Sequence, residues 1–236
     1  MNKELSMKSA QSGFTLVEIA IVLVIIGLLL GGILKGQEMI TQAKIKNLIN
    51  DFNGLAAAMY SYQDRYRALP GDESNSKVAA RWAGAFGGDG NGTFVRGAVP
   101  ATPTTPDLYN NIPTGAPSAT TPEGNLFWQH LRLSGFVGGS TLVTDAASVL
   151  PPANSVNGIV GVQTAGMGFN GNIICTSNLP DKVAIAVDTQ VDDGSSIRGQ
   201  VRGLLQTAIN PPTGATVPTV EFAETGTNQY LLCKSL

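Results

Sequence analysis

Gly13-Phe14-Thr15-Leu16-Val17-Glu18 opens a stretch that continues as IAIVLVIIGLLLGGIL to Leu34, and its reading decides the fold. No charge occurs between Ile19 and Leu34. Wound as a helix at about 1.5 Å per residue, Phe14 to Leu34 runs about 31 Å, enough to cross a bilayer core of about 30 Å. Before it lies MNKELSMKSAQSG, a short polar segment with Lys3 and Lys8. A secretory signal places its small-residue cleavage site after the apolar region. Here the chain continues past Leu34 as KGQEMITQAKIKNLIND, which reads as more helix, so the membrane helix is expected to be kept. Glu18 is the anomaly. A carboxylate inside an apolar span costs about 2.5–3.5 kcal/mol unless it is paired, which points to a function for it.

The string from Gly13 to Glu18 resembles the cleavage and N-methylation motif of type IV prepilins and of the pseudopilins of type II secretion. The resemblance implies that prepilin peptidase cuts between Gly13 and Phe14 and methylates the new N-terminal Phe14, and that Glu18 serves assembly. It implies an α+β, pilin-like fold in which the hydrophobic half of a long N-terminal α-helix protrudes and the amphipathic half packs against an antiparallel β-sheet domain with long loops. The expected divisions are a leader at 1–13, a transmembrane or filament-core helix at 14–35, an amphipathic half at 36–69 and a globular β-rich domain at 70–236. The implied role is that of a structural subunit of a type IV pilus or related filament. A type II secretion pseudopilin, or a minor pilin acting in adhesion or DNA uptake, is the alternative. Implied partners are copies of the chain and other pilins, prepilin peptidase, the inner-membrane assembly platform and the inner membrane itself. The precursor would sit in the inner membrane with its globular domain periplasmic, and the mature protein in a periplasmic or cell-surface filament. The chain departs from many type IV pilins at Lys35, which stands where they place a helix-kinking proline.

Ile45, Leu48, Phe52, Leu55, Met59, Tyr62 and Tyr66 alternate spacings of three and four, one face of a helix. Pro70-Gly71 is expected to stop it. Ala68-Leu69-Pro70-Gly71-Asp72, Gly88-Asp89-Gly90-Asn91-Gly92 and Phe127-Trp128-Gln129-His130-Leu131 resemble segments of a subset of large pilin-like proteins. The last belongs to an expected short helix that begins at Thr121-Pro122-Glu123 and is capped by Gly135. Residues 97–122 carry six prolines and six threonines without periodicity and read as a solvated loop. GIVGV at 158–162, GNIIC at 171–175, KVAIAVDT at 182–189 and Tyr230-Leu231-Leu232-Cys233 read as strands, and Asp193-Gly194 as a turn.

A net charge of −2 gives no footprint for bulk nucleic-acid binding. Two cysteines and one histidine cannot assemble a four-ligand zinc site from thiolates and imidazoles. Cys175 and Cys233 fall at the ends of two expected strands, and in an oxidising compartment they are expected to form a disulfide. Gly166-x-Gly168-x-x-Gly171 has the letters of a dinucleotide fingerprint but runs into a strand rather than a helix, so it reads as a turn. No nucleophile elbow, zincin helix or Walker-type loop occurs, and no enzyme activity, cofactor or metal is expected. Asp89-x-Asn91-x-Thr93 alternates oxygen ligands as a calcium loop does, and Asp188, Asp192 and Asp193 form a second oxygen-rich cluster. Plain Asx turns are the expected reading of both, with a structural Ca²⁺, which the resemblance allows, as the alternative.

Overall fold

The computed structural model describes residues 15–95 and 108–236. Helix α1 runs unbroken from Leu16 to Tyr66, 51 residues, or about 77 Å. Two compact units divide at Ala43 and Lys44. In the first, every large hydrophobic side chain from Leu16 to Ile40 is exposed, and the helix is long and apolar enough to cross a membrane. In the second, Ile45, Leu48, Phe52, Leu55, Met59 and Tyr62 of α1 are buried, as their spacing predicts. The helix stops at Tyr66, before Pro70, with Arg67 left-handed at φ 54°. Pro70 lacks an N–H and its ring would strike the carbonyl one turn back, so the helix cannot pass through this stretch.

The second unit adds α2 (Asn75–Arg81), α3 (Glu123–Leu133), β1 (Val160–Gly166), β2 (Phe169–Pro180), α4 (Asp181–Val191), β3 (Val201–Leu205) and β4 (Gln229–Ser235). The sheet is antiparallel throughout, in the order β1-β2-β4-β3. Side chains alternate across it with a period of two. Val160, Val162, Ile174, Val201 and Leu232 join the α1 face and Phe127, Trp128 and Leu131 of α3 in one core. Ile173, Cys175, Leu231 and Cys233 face the other way, under Tyr109 and Met167. The Tyr109 hydroxyl donates to the Pro211 carbonyl at 2.7 Å. Cys175 and Cys233 are register partners on β2 and β4 and are joined in a disulfide.

Three expectations need correction. KVAIAVDT is helix α4, not a strand. A short apolar run fits either period, and here Val183, Ala184 and Val187 are buried at helical spacing. The Pro/Thr-rich segment lies partly outside the described residues; within them Ile112, residues 114–116, Ala119 and Thr120 are exposed, as expected of a solvated loop, but Tyr109, Pro117 and Thr121 are buried and anchor it, Tyr109 against the sheet. Helix α3 begins at Glu123, with Pro122 rather than Thr121 at its cap position. Its end is as expected: Gly135 has φ +80°, and the Phe136 amide donates back to the Leu131 carbonyl at 3.0 Å, a glycine-terminated helix end. Gly166 and Gly168, both left-handed, make the turn between β1 and β2.

The three segments set apart in the sequence meet in space. The Asp72 carboxylate accepts from the backbone N–H groups of Gly90 and Asn91, both at 2.9 Å, and of Gly92 at 2.8 Å. The Gly71 N–H donates to His130 Nδ1 at 2.9 Å. A Cβ on Gly71 would collide with the Glu123 carbonyl and the Phe127 amide nitrogen, and its φ of +90° disfavours a side chain in any case. Nearby, Tyr62 donates to Glu73 Oε2 at 2.6 Å, and Arg81 grips both Glu73 oxygens at 2.9 and 2.8 Å.

His130 lies within 2.9 Å of the Phe86 carbonyl through Nε2. With Nδ1 accepting from Gly71, the neutral imidazole carries its proton on Nε2. Burial pushes its pKa down to about 4. Because this is below the unfolded value, the folded state binds fewer protons, and stability is full above about pH 6.5 and falls as pH drops toward 4, by about 3 kcal/mol from this group. His130 is the sole histidine, so its imidazole NMR signals are unambiguous. They should hold the neutral shifts down to about pH 4, and a midpoint near 6.5 would refute the buried neutral state.

The disulfide spans a sequence separation of 58, for which chain entropy predicts about 4 kcal/mol of stabilisation. Among the described residues every buried hydrophobic side chain lies at Ile45 or beyond, so a fragment starting at Lys44 keeps the core. Urea unfolding of that fragment with Cys175→Ala and Cys233→Ala should show most of this loss, and a change under about 1 kcal/mol would remove the disulfide from the account of stability.

Candidate functional site

The first described residue, Thr15, and Glu18 close the start of α1 on each other. The Thr15 amide and hydroxyl both donate to Glu18 Oε2 at 2.8 Å, and the Glu18 amide donates to Thr15 Oγ1 at 3.3 Å. This is a reciprocal capping box, which satisfies amides that the first turn leaves without intrahelical partners. Its signal was present in the sequence as Thr15-x-x-Glu18 ahead of an apolar run. The carboxylate also sits at the positive end of the helix dipole. Both of these hydrogen bonds use Oε2, and Oε1 accepts none among the described residues. Gly13 and Phe14 lie outside the described residues.

The acidic positions divide into two groups. Asp89 accepts from the Asn91 amide at 3.1 Å, and Asn91 from the Thr93 amide at 2.8 Å, so both make Asx turns. The fold brings Asp89 beside Asp72 and Glu123, with one carboxylate oxygen of each within 4.8 Å of the others. Glu123 Oε1 accepts from the Asp89 amide at 3.0 Å. Nothing in sequence spacing connects Asp72 or Glu123 with Asp89.

Asp188, Asp192 and Asp193 likewise bring one carboxylate oxygen each within 4.8 Å of one another. Asp188 stands in the last turn of α4 and is fully buried. Its two oxygens have no hydrogen-bond partner among the described residues. Asp192 Oδ2 accepts from the amides of Gln200 and Val201, and Asp193 Oδ1 from Ser195 at 2.9 Å. Burial first, then the charges of Asp192, Asp193 and Glu221, push the Asp188 carboxyl up to about 7. Glu221, from the segment between β3 and β4, was not singled out in the sequence.

Residues 8–34 match the prokaryotic N-terminal methylation motif, a span that takes in Gly13, Phe14 and Glu18. No curated protein and no solved structure matches the chain. Pilins and pseudopilins are structural rather than catalytic proteins, and one N-terminal apolar helix behind such a motif fits an inner-membrane precursor. Residues 8–34 are the prepilin-type signal of type IV pilins and pseudopilins.

Proposed function

We propose that the chain is a structural subunit of a type IV pilus or related filament, cut by prepilin peptidase between Gly13 and Phe14, N-methylated on Phe14 and assembled through α1. What carries the reading is one juxtaposition. The prepilin-type signal at residues 8–34 takes in the start of a helix whose large apolar side chains are exposed from Leu16 to Ile40, with a single carboxylate in its first turn. Such a surface needs lipid before assembly and other apolar helices after it. The precursor is held by the inner membrane with its globular unit outside the cytoplasm, and the assembly platform delivers it to copies of itself and to other pilins. The chain has no catalytic task in this reading.

Glu18 has two jobs. Oε2 caps its own helix, while Oε1 meets the Phe14 amine of a neighbouring subunit, a group with a reference pKa of about 7.7–8.0. A helix that docks at the wrong depth leaves both charges unmatched in a water-poor core, so the pair sets register more than it adds strength.

Intact mass of the membrane or filament form should show a chain starting at a methylated Phe14; one that starts at Met1, or beyond Leu34, would sink the proposal. Glu18→Gln separates the two jobs of the carboxylate, since glutamine still completes a capping box but carries no charge. We expect Glu18→Gln and Glu18→Ala both to be cleaved and both to give few sheared filaments. Normal filaments from cleaved Glu18→Gln would leave capping as the only role, and an uncleaved variant would assign Glu18 to peptidase recognition.

A further inference from the structure

We propose that the loop Thr207-Ala208-Ile209, which follows β3, rests on the surface of the lipid bilayer that holds α1. Ile209 is 78% exposed, more than any other large apolar side chain described in the second unit. It stands in a run from Leu205 to Val220 that carries no charge. A single exposed aliphatic residue is ordinary; what sets this one apart is how it is held and where.

The polar side chains at the base of the loop turn inward and fix it. The Asn178 amide donates to Gln206 Oε1 at 2.6 Å, and Gln206 Nε2 donates to Asn178 Oδ1 at 2.9 Å and to the Ala208 carbonyl at 3.0 Å. On the far side the Asn210 amide donates to Asn178 Oδ1 at 3.3 Å, and the Asn210 carbonyl accepts from Asn110 Nδ2 at 2.8 Å. Pinned at Gln206 and at Asn210, the loop keeps Ile209 outward. Polar groups already bonded within the protein also cost less to move out of water than free ones.

Hydrogen bonds lead from this loop to the place where α1 enters the unit. Asn210 Oδ1 accepts from Ser177 Oγ at 2.6 Å, and the Ser177 carbonyl from Asn154 Nδ2 at 2.7 Å. The next residue, Ser155, donates through Oγ to the Lys44 carbonyl at 3.3 Å. Lys44 opens the second unit, and only ten residues separate it from Leu34, where the uncharged run ends. Along a helix that is about 15 Å, of which the headgroup layer takes about 5–8 Å. A tilt of about 20°, usual for a spanning helix, brings one side of this end closer still. Lys44 and Lys46 at the entry point supply positive charge for phosphate headgroups.

The anchor also explains why one isoleucine suffices. A loop tethered this close to its partner meets it at a high effective concentration, so a weak contact is populated. The inference rests on the membrane-held precursor of the proposed function, and its test separates the two. The full chain would carry one added cysteine bearing an environment-sensitive fluorophore, one chain per nanodisc of phosphatidylethanolamine and phosphatidylglycerol, so that no second copy can cover the loop. Quenching by spin-labelled lipid is the readout. Leu23→Cys reports the span and Ala208→Cys the loop, with Thr207→Cys as a second loop position. Val217→Cys is the control, in the same uncharged run but against the turn at Gly168, at the opposite end of β2 from Ser177.

Labels at 23 and 208 should be quenched and the label at 217 should not. Ile209→Asp should abolish most of the quenching at 208 and leave that at 23 intact. Quenching at 23 with none at 208 or 207 overturns the inference and leaves the anchored precursor standing. Equal quenching at 208 and 217, or quenching at 208 that survives Ile209→Asp, overturns it too. A label at 23 that lipid does not reach removes the anchored precursor and this inference together.

Discussion

Glu73 is an ionised carboxylate sunk almost completely into the globular unit, and three elements are arranged around the need to hold it. Burial alone would raise its pKa; hydrogen bonds from Arg81 and Tyr62 outweigh that and keep it low. Tyr62 belongs to α1 and Arg81 to α2, and the guanidinium also lies over the Tyr66 ring, 3.9 Å from its centroid. His130 of α3 stacks near Tyr62 and takes the Gly71 amide. The turn where α1 must end, at Pro70-Gly71, is therefore where α2 and α3 are attached to it. Glu73 is buried while Arg81 reaches it from the solvent side, so losing the guanidinium would leave a buried carboxylate without its counter-charge, and the junction serves as a structural keystone.

The parts of this fold that were legible in the sequence were those with a long period. Ile45 to Tyr62 repeat often enough to define a helical face, and Phe14 to Leu34 form an apolar run long enough for a helix to cross a bilayer core. Two cysteines admit only one internal disulfide. What escaped was short or depended on contacts distant in sequence. The run at 182–189 holds too few residues to separate a period of two from 3.6, and β3, with Gly203 at its centre, carries no strand signal. No spacing rule joins Asp72 to Gly90-Asn91-Gly92, because the partners lie on separate loops.

The candidate sites followed the same physics. The Thr15-x-x-Glu18 signature was visible, but a carboxylate in an apolar span drew attention to the membrane and away from the helix end. Reading α4 as a strand had a sharper effect. On a strand Asp188 and Asp192 would share a face but stand about 13 Å apart, whereas one helical turn brings such a pair to about 5–6 Å. The orphaned state of Asp188 cannot be read from residue order at all.

The disulfide has a mechanical consequence. β2 and β4 are the two central strands of the sheet, and the bond between Cys175 and Cys233 fastens them to each other. A chain pulled at both ends and oxidised cannot pay out the segment between these cysteines, which holds α4, β3 and the acidic cluster. At about 3.4 Å per extended residue, roughly 200 Å of contour is locked away. Under tension the oxidised subunit is a short tether whose innermost strands stay stapled, and the reduced one a long tether that can unravel.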